Sequence, residues 1–598
     1  MKHQITTLFV LLLLLGCGGD ETAVLPTAPS QSPTTFPTRA PAGETAVPPT
    51  NAAPLTMETV VAQTRIAEQN NRPPRLNHYV RVQLDLPVDW ELAANDSFLY
   101  RGTNGSFRLS VHRNDELTTL AEVCASDEVA ANLGLIGYER EIDEINGRAV
   151  CLAREVGSEA VPYALVQYPT PLIFLFPDTN GNVGPFQYLM LYSVSQSVTV
   201  PQVLETLEFP ETPDAAAYLR GVVDEYQAGH VFREQVDFVT WEADALSRLT
   251  PDSTLEEAHQ LIFELFDAMR SATKHDHLGF YTPEQAQSLL FAPARARIGL
   301  HFDGEGVVWL VEPDSPAEAA GMQIGDRLLA INDAPLQEIR LNAGENEIAF
   351  EREGEARAVA VTPADYSNLL PPNGRLLTDN IAYLETFGFN NVIESELSRY
   401  VTLVHDQIAA LDAPNRCWVL DLRRNRGGTK HALQGGIGPF AGNGQLYADW
   451  ENEFRIFPTM YEDGRIYGEH TAPYDVVPER PYTMIDTSHT IAILVSELTA
   501  SGGELATLII STQPENTARI FGEKTVGLSS SVEFLALYDK SVVHIPRAAW
   551  VDLDGNFYPE GIIPDEPLDV VFDSRYGTLD DPVVQTAVAW LENEQGCR

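Results

Sequence analysis

The stretch from Ile491 to Ile510, IAILVSELTASGGELATLII, constrains this chain more than any other. It opens as an apolar, β-branched run of strand type, crosses a short polar turn holding Ser501, Gly502 and Gly503, and continues as a helix from Glu504. A serine on such a turn stands at a helix N-terminus, where unpaired backbone N–H groups stabilise a developing oxyanion and glycines permit close approach. The same residues also fit a plain helix cap, which is what most serines before a helix provide. The choice depends on whether the rest of the chain supplies a base, an orienting acid and a substrate site.

At 598 residues the chain is too long for a single core and predicts about three or four domains. Its 85 acidic against 39 basic residues give a formal net charge of -46, which argues against nucleic acid and against adsorption on anionic lipid. Near the start, Lys2 precedes an apolar run from Leu8 to Leu15 that is too short for a mature membrane helix, so residues 1–17 read as an export signal. Its close, Leu14-Leu15-Gly16-Cys17, resembles the lipobox of bacterial lipoprotein signal peptides. That resemblance implies that Cys17 carries a lipid and anchors the mature protein to a membrane of the bacterial envelope, on the extracytoplasmic side.

Residues 18–56, rich in Pro, Thr, Ala and Ser, bury too little apolar surface to order themselves and predict an extended tether. Residues 57–210 begin with a short helical stretch and then alternate apolar and polar positions between turn signals such as Thr103-Asn104-Gly105 and Asn180-Gly181-Asn182. They predict an α+β domain with an antiparallel sheet, and they hold no cluster of chemistry-bearing residues at ligand spacing, which favours a binding or spacer role. Export permits disulfides. Cys124 and Cys151 share this domain and can pair, whereas Cys417, in an apolar strand pattern, and Cys597, at the tail, are expected as unpaired thiols.

Residues 211–292 read as helical, with Asp252 or Ser253 capping the last helix and Lys274-His275-Asp276-His277-Leu278-Gly279 just after it. Residues 293–365 follow another plan, in which Ser315, Pro316, Ala317, Ala320, Gly321, Gly325, Asp326, Leu328, Ile331 and Asn332 fall on a pattern similar to the PDZ domain of circularly permuted bacterial proteases. That resemblance implies capture of an extended peptide by strand addition, with Ile298-Gly299-Leu300 as the groove loop. From residue 366 to 598, strand and helix patterns alternate through IAYLETFGF, CWVLDLRRNRGG, IAILVS, ARIFGEKTVG and SVVHIPRAA, which predicts an α/β core.

Taken in order, the helical segment, the PDZ-like segment, LETFGF, DLRRNRGG, TASGGE and EGIIPD resemble the C-terminal processing peptidases, a tail-specific and tricorn-type serine protease family. The resemblance implies a multidomain α/β fold with a crotonase-like serine protease core that takes peptide or protein substrates and needs no cofactor. In the tail-specific branch a lysine base follows Thr-aromatic-Gly directly, yet here Thr525-Val526-Gly527 is followed by Leu528, and Lys524 stands on the wrong side of the motif. The tricorn-like branch uses serine, histidine and glutamate, which maps onto Ser501, His277 in KHDHLG and Glu560 in Glu560-Gly561-Ile562-Ile563-Pro564-Asp565. His277 is then the base and His275 its fallback, while Glu560 belongs to a second serine relay around the site.

That branch places a serine before the base where this chain has Asp276, which either orients His277 directly or is only a turn residue. The oxyanion hole would come from Gly502 and from Gly427 or Gly428, glycines that also fit a plain strand-ending turn. His275 and His277 lack a further ligand pair at zinc-like spacing, and Asp552-Leu553-Asp554-Gly555 lacks the later ligands of a calcium loop, so no metal is expected. Two rival readings remain: a catalytically silent lipoprotein that binds peptides through its PDZ-like segment, and a Ser-Lys protease using Lys524.

Overall fold

The computed structural model describes residues 75–597, apart from 87–89, 95, 103, 114–118, 174–183, 196–197, 284, 287–296, 337–340, 367–368, 390–393, 453–454 and 469–475. The export signal, Cys17, the tether, the start of the first domain and the Asn180-Gly181-Asn182 turn lie outside the described residues.

Alternation in the first domain produces one antiparallel sheet in the spatial order Glu91–Ala93, Asp96–Gly102, Gly105–His112, Phe186–Ser193, Tyr163–Leu172, Arg148–Glu155 and Tyr138–Ile145. Period two sends Val150, Leu152, Val166 and Leu189 to the face covered by the Val200–Thr206 helix, and Cys151, Leu165 and Tyr188 to the face covered by Leu120–Ala125. On that second face Cys124 and Cys151 form a disulfide, which pins the short helix to the sheet.

Three helices follow, Ala215–Gly229, Phe238–Ser247 and Leu255–Thr273. The last is capped by Thr254, in a reciprocal capping box with Glu257, rather than by Asp252 or Ser253. Its apolar face, with Leu261, Leu265 and Met269, joins Leu535, Val543 and Ile545 of two later strands in a single core. Lys274 ends the helix in the left-handed conformation and turns the chain. The two histidines then lead into a short strand, Gly279–Tyr281, which pairs with Val542–Val551.

The region from 297 to 364 forms two small antiparallel sheets with one helical turn, Pro316–Ala319, between them. Gly299 at φ 75° is required there, because a Cβ would lie 2.2 Å from the Ser315 Cβ. Arg424 fastens this domain to the next: its Nη1 donates to the Trp309 carbonyl at 3.1 Å and its Nε to the buried Glu385 carboxylate at 2.7 Å.

The C-terminal domain is built on a sheet in the order Asn373–Leu376, Ile381–Glu385, Cys417–Asp421, Thr490–Val495, Thr517–Gly522 and Glu566–Pro567, parallel apart from its first strand. Helices Glu394–Leu411, Lys430–Ala441 and Gly502–Thr512 cover one face, and Pro582–Asn593 covers the other. Coverage of both faces explains why Ile491 to Val495 is apolar without alternation. A second, antiparallel sheet holds Gly444–Asn452, Ser530–Ala536 and Val542–Val551.

Cys417 and Cys597 are not unpaired thiols; they form a second disulfide. The Pro582–Asn593 helix packs its Val584, Ala587 and Leu591 over Val419 and so returns the tail to the Cys417 strand. Sequence separation of 180 residues hides this proximity.

Candidate active site

The central strand ends at Val495, and the turn beyond it is locked to its neighbour. Ser496 Oγ donates to the Arg423 carbonyl at 2.6 Å, Thr499 Oγ1 to the Leu422 carbonyl at 2.9 Å, and the Ala500 N–H to the Asn425 carbonyl at 3.1 Å. Ser501 then adopts φ 50° and ψ -117°, a sparsely populated conformation for a residue with a side chain. Such a conformation costs on the order of 1–3 kcal/mol and persists only where its surroundings hold it.

Glu504, in the first turn of the following helix, does that holding. Its carboxylate accepts the Ser501 N–H at 2.9 Å, the Thr525 hydroxyl at 2.5 Å, and the Gly527 and Leu528 N–H groups at 2.7 Å each. Burial pushes this carboxyl above its ordinary range, and the hydrogen bonds from Thr525, Gly527, Leu528 and Ser501 pull against that. One carboxylate therefore ties the serine turn to the 525–528 segment, which runs directly into the Ser530–Ala536 strand.

The glycine loop after Asp421 packs against the same serine. Gly427 sits at φ 87°, and a Cβ there would lie 2.6 Å from the Gly502 nitrogen and 2.8 Å from the Ser501 Cβ. The Gly427 N–H is committed to Asn425 Oδ1 at 3.0 Å. Gly428 lies beside the helix start, its nitrogen 3.4 Å from where a Cβ on Gly502 would be. Of the three glycines singled out in the sequence, Gly428 and Gly502 therefore keep their N–H groups uncommitted to other described residues.

His277 is buried, and its Nδ1 lies 2.9 Å from Ser530 Oγ. The same hydroxyl lies 2.9 Å from Nε2 of buried His275, whose Nδ1 is 3.5 Å from the Pro559 carbonyl. Both imidazoles are neutral near pH 7: burial lowers His275 to about 4, and burial with neighbouring His275 and His544 takes His277 well down. Among the described residues no hydrogen bond reaches His277 Nε2 and none joins Ser501 to His277. Catalytic hydrogen bonds are often long before substrate binds.

Asp276, between the histidines, points the other way: it pairs with Arg270 and is largely exposed, so it does not orient His277. The Glu560 side chain is exposed and takes no part in the histidine cluster. Its motif enters the site through backbone instead, with the Pro559 carbonyl facing His275 and the Ile562 N–H donating to Thr525 Oγ1 at 2.7 Å. Lys524 is exposed. A half-buried lysine, Lys430, is held by Asp449 at 3.0 Å and Ser531 at 3.1 Å. Burial lowers that ammonium's pKa, but the Asp449 carboxylate outweighs burial and keeps it protonated, so it is no base.

In the PDZ-like domain the Ile298 side chain belongs to the core, and the Ile298 and Gly299 carbonyls accept from Ala317 and Glu312 at 2.8 Å. Leu300 opens a short strand paired with Val308–Val311, and its outer edge pairs with no strand among the described residues. Among the described residues no group of three or more His, Cys, Asp or Glu is placed to hold a metal ion. Asp552 instead organises its own turn, accepting from the N–H groups of Asp554 and Asn556 and from the Tyr558 hydroxyl.

Glu504 and Ser530 are the two residues whose importance the sequence did not disclose. Ser501-x-x-Glu504 has the spacing of a capping box, which would have flagged Glu504. Ser530 is one of three consecutive serines and offers no such signal.

A strained serine at a strand-to-helix turn, packed against a glycine loop and tied through Glu504 to the segment that leads to the serine holding a buried histidine, fits a serine-type peptidase. Residues 380–568 match the model of peptidase family S41, and residues 307–341 match a PDZ domain. The chain is 25% identical to a carboxyl-terminal-processing protease of Picosynechococcus sp. over 374 residues, covering 58% of this chain and 81% of that protein. It is 28% identical to the nisin-resistance protein of Lactococcus lactis subsp. lactis over 144 residues, 23% of this chain and 42% of that one. Among solved structures, a photosystem II D1 C-terminal processing protease is similar at a TM-score of 0.40 and 17% identity, over 60% of this chain and 94% of that one. Residues 380–568 therefore carry a segment similar to peptidase family S41 and residues 307–341 a PDZ-type segment, a combination that supports a serine-type peptidase.

Proposed function

We propose that this protein is a lipid-anchored, extracytoplasmic serine endopeptidase that binds peptide or protein tails through its PDZ domain. Cys17 carries the lipid, and residues 18–56 give the reach between membrane and fold. A substrate tail adds to the edge of the Leu300–Phe302 strand that pairs with no other strand among the described residues. Ser501 Oγ attacks the scissile carbonyl while His277 Nε2 takes its proton, and the Gly428 and Gly502 N–H groups receive the oxyanion. The imidazolium then protonates the leaving amine, and a water activated by His277 hydrolyses the acyl-enzyme.

The observation that carries this reading is the shared Glu504 carboxylate. By binding Ser501 N–H and Leu528 N–H at once, it fixes the nucleophile turn against the segment that leads, two residues later, to the serine holding His277. Ser501→Ala, assayed on fluorescent casein and by thermal unfolding, is expected to lose cleavage while keeping the wild-type melting temperature. Undiminished cleavage would remove Ser501 from the mechanism. A chain that binds tailed peptides but never cleaves would instead be the silent binding protein.

A further inference from the structure

His275 and His277 meet at one oxygen, the Ser530 Oγ. A hydroxyl has a single proton, so it donates to one of two imidazole nitrogens and accepts from the other. Ser530 Oγ lies 2.9 Å from both His275 Nε2 and His277 Nδ1, and geometry at that oxygen alone leaves two directions open. The far end of the chain decides. His275 Nδ1 faces the Pro559 carbonyl at 3.5 Å, and a carbonyl only accepts. His275 Nδ1 therefore carries the proton, and its Nε2 is the acceptor.

We propose that Pro559, His275 and Ser530 form a directional relay that fixes His277 in the Nδ1-protonated tautomer and presents a lone pair on Nε2. The Pro559 carbonyl accepts from His275 Nδ1–H, the Ser530 hydroxyl donates to His275 Nε2, and His277 Nδ1–H donates to Ser530 Oγ. In the reverse direction His275 would aim a lone pair at the Pro559 oxygen, and His277 would carry its proton on Nε2, where it could accept nothing from a serine. His275 and Ser530 are thus positioning residues, taking the place that a carboxylate holds behind the histidine of a Ser-His-Asp triad. Their neutrality follows from burial, since a carboxylate here would leave a charge uncompensated. Asp276, turned outward to Arg270, leaves that place to Ser530.

The inference rests on His277 being the base for Ser501, and the test separates the two. Nitrogen-15 spectra of the intact protein labelled at histidine report the tautomer directly, His277→Gln serving to assign the signal. The relay predicts that the His277 Nδ1 is protonated and Nε2 is not, and that Ser530→Ala shifts the population toward the Nε2-protonated form. It also predicts that Ser530→Ala lowers kcat on fluorescent casein with little change in KM, by roughly 100-fold or more, given that a wrong-tautomer histidine costs about 10⁴ in a serine protease. Ser530→Thr, which keeps the oxygen, restores most of that loss. A protonated Nε2 in the wild type, or wild-type kcat in Ser530→Ala, overturns the relay. Reaction of wild-type Ser501 with a fluorophosphonate shows separately whether the nucleophile assignment stands: labelling at Ser501 with a protonated Nε2 defeats only the relay. No labelling with a protonated Nδ1 defeats only the nucleophile assignment.

Discussion

The Ser501 N–H donates to Glu504 Oε2 at 2.9 Å, and that one oxygen also accepts the Leu528 N–H at 2.7 Å. A carboxylate suits this position because all of its partners are donors. In Glu504→Gln the amide NH₂ would oppose one of them and leave buried N–H groups unpaired, each costing about 1–3 kcal/mol. The expected outcome is a loss of about 2–4 kcal/mol in urea unfolding together with a large fall in kcat, since the strained serine turn relaxes. A variant with unchanged stability and activity would show that the turn is held by other contacts.

Gly427→Ala tests the close approach of the two loops. At φ 87°, with Gly502 nitrogen and Ser501 Cβ inside 3 Å of the new methyl, the loop must move away from the serine. The fall in kcat should approach the roughly 10²–10³ seen on loss of an oxyanion donor. Steady-state kinetics on casein check this, with far-UV circular dichroism as the control for folding.

Buried neutral histidines set the acid limit of the fold. Burial lowers His78, His275 and His544 to about 4 and His230 to about 3, from an ordinary value of 6.5. Between pH 6.5 and about 4 the unfolded chain therefore binds protons that the folded chain refuses, and stability falls as pH falls through that window. Each histidine contributes a slope of up to about 1.4 kcal/mol per pH unit. Urea midpoints measured from pH 7.5 down to 4 should drop steeply, and a flat profile would mean that these imidazoles are hydrated.

The Cys417–Cys597 disulfide should matter more than its place at the tail suggests. It closes a loop with a sequence separation of 180 residues, and removing it by Cys597→Ser is expected to cost about 2–5 kcal/mol. Unfolding with and without reductant, compared between wild type and the variant, isolates this bond from Cys124–Cys151. Equal stability of the two oxidised proteins would contradict the estimate.

Local pattern made much of this legible. The strand-to-helix serine turn, the helix before the histidines (though not its capping residue), the PDZ signature and the α/β alternation all depend on residues near one another in sequence, where periodicity and turn chemistry act. What stayed hidden was long-range. Cys597 reaches Cys417 only because a helix lies across the back of the sheet, and Ser530 matters only because it lies between two histidines more than 250 residues away. From its neighbours in the chain Asp276 fits either an orienting acid or a turn residue, and turning at Lys274 carries it toward Arg270. Glu560 belongs to a recognisable motif, yet that motif reaches the site through the Pro559 and Ile562 backbone rather than through its carboxylate.

The central claim is that Ser501 is a nucleophile activated by His277, and the rate of fluorophosphonate labelling tests it most directly. Wild-type protein should acquire one adduct, mapped by mass spectrometry to the peptide containing Ser501, with the rate falling at least about 100-fold in His277→Ala and unaltered in Lys524→Ala. Absence of an adduct on Ser501, or equal labelling rates in the wild type and His277→Ala, would contradict the account.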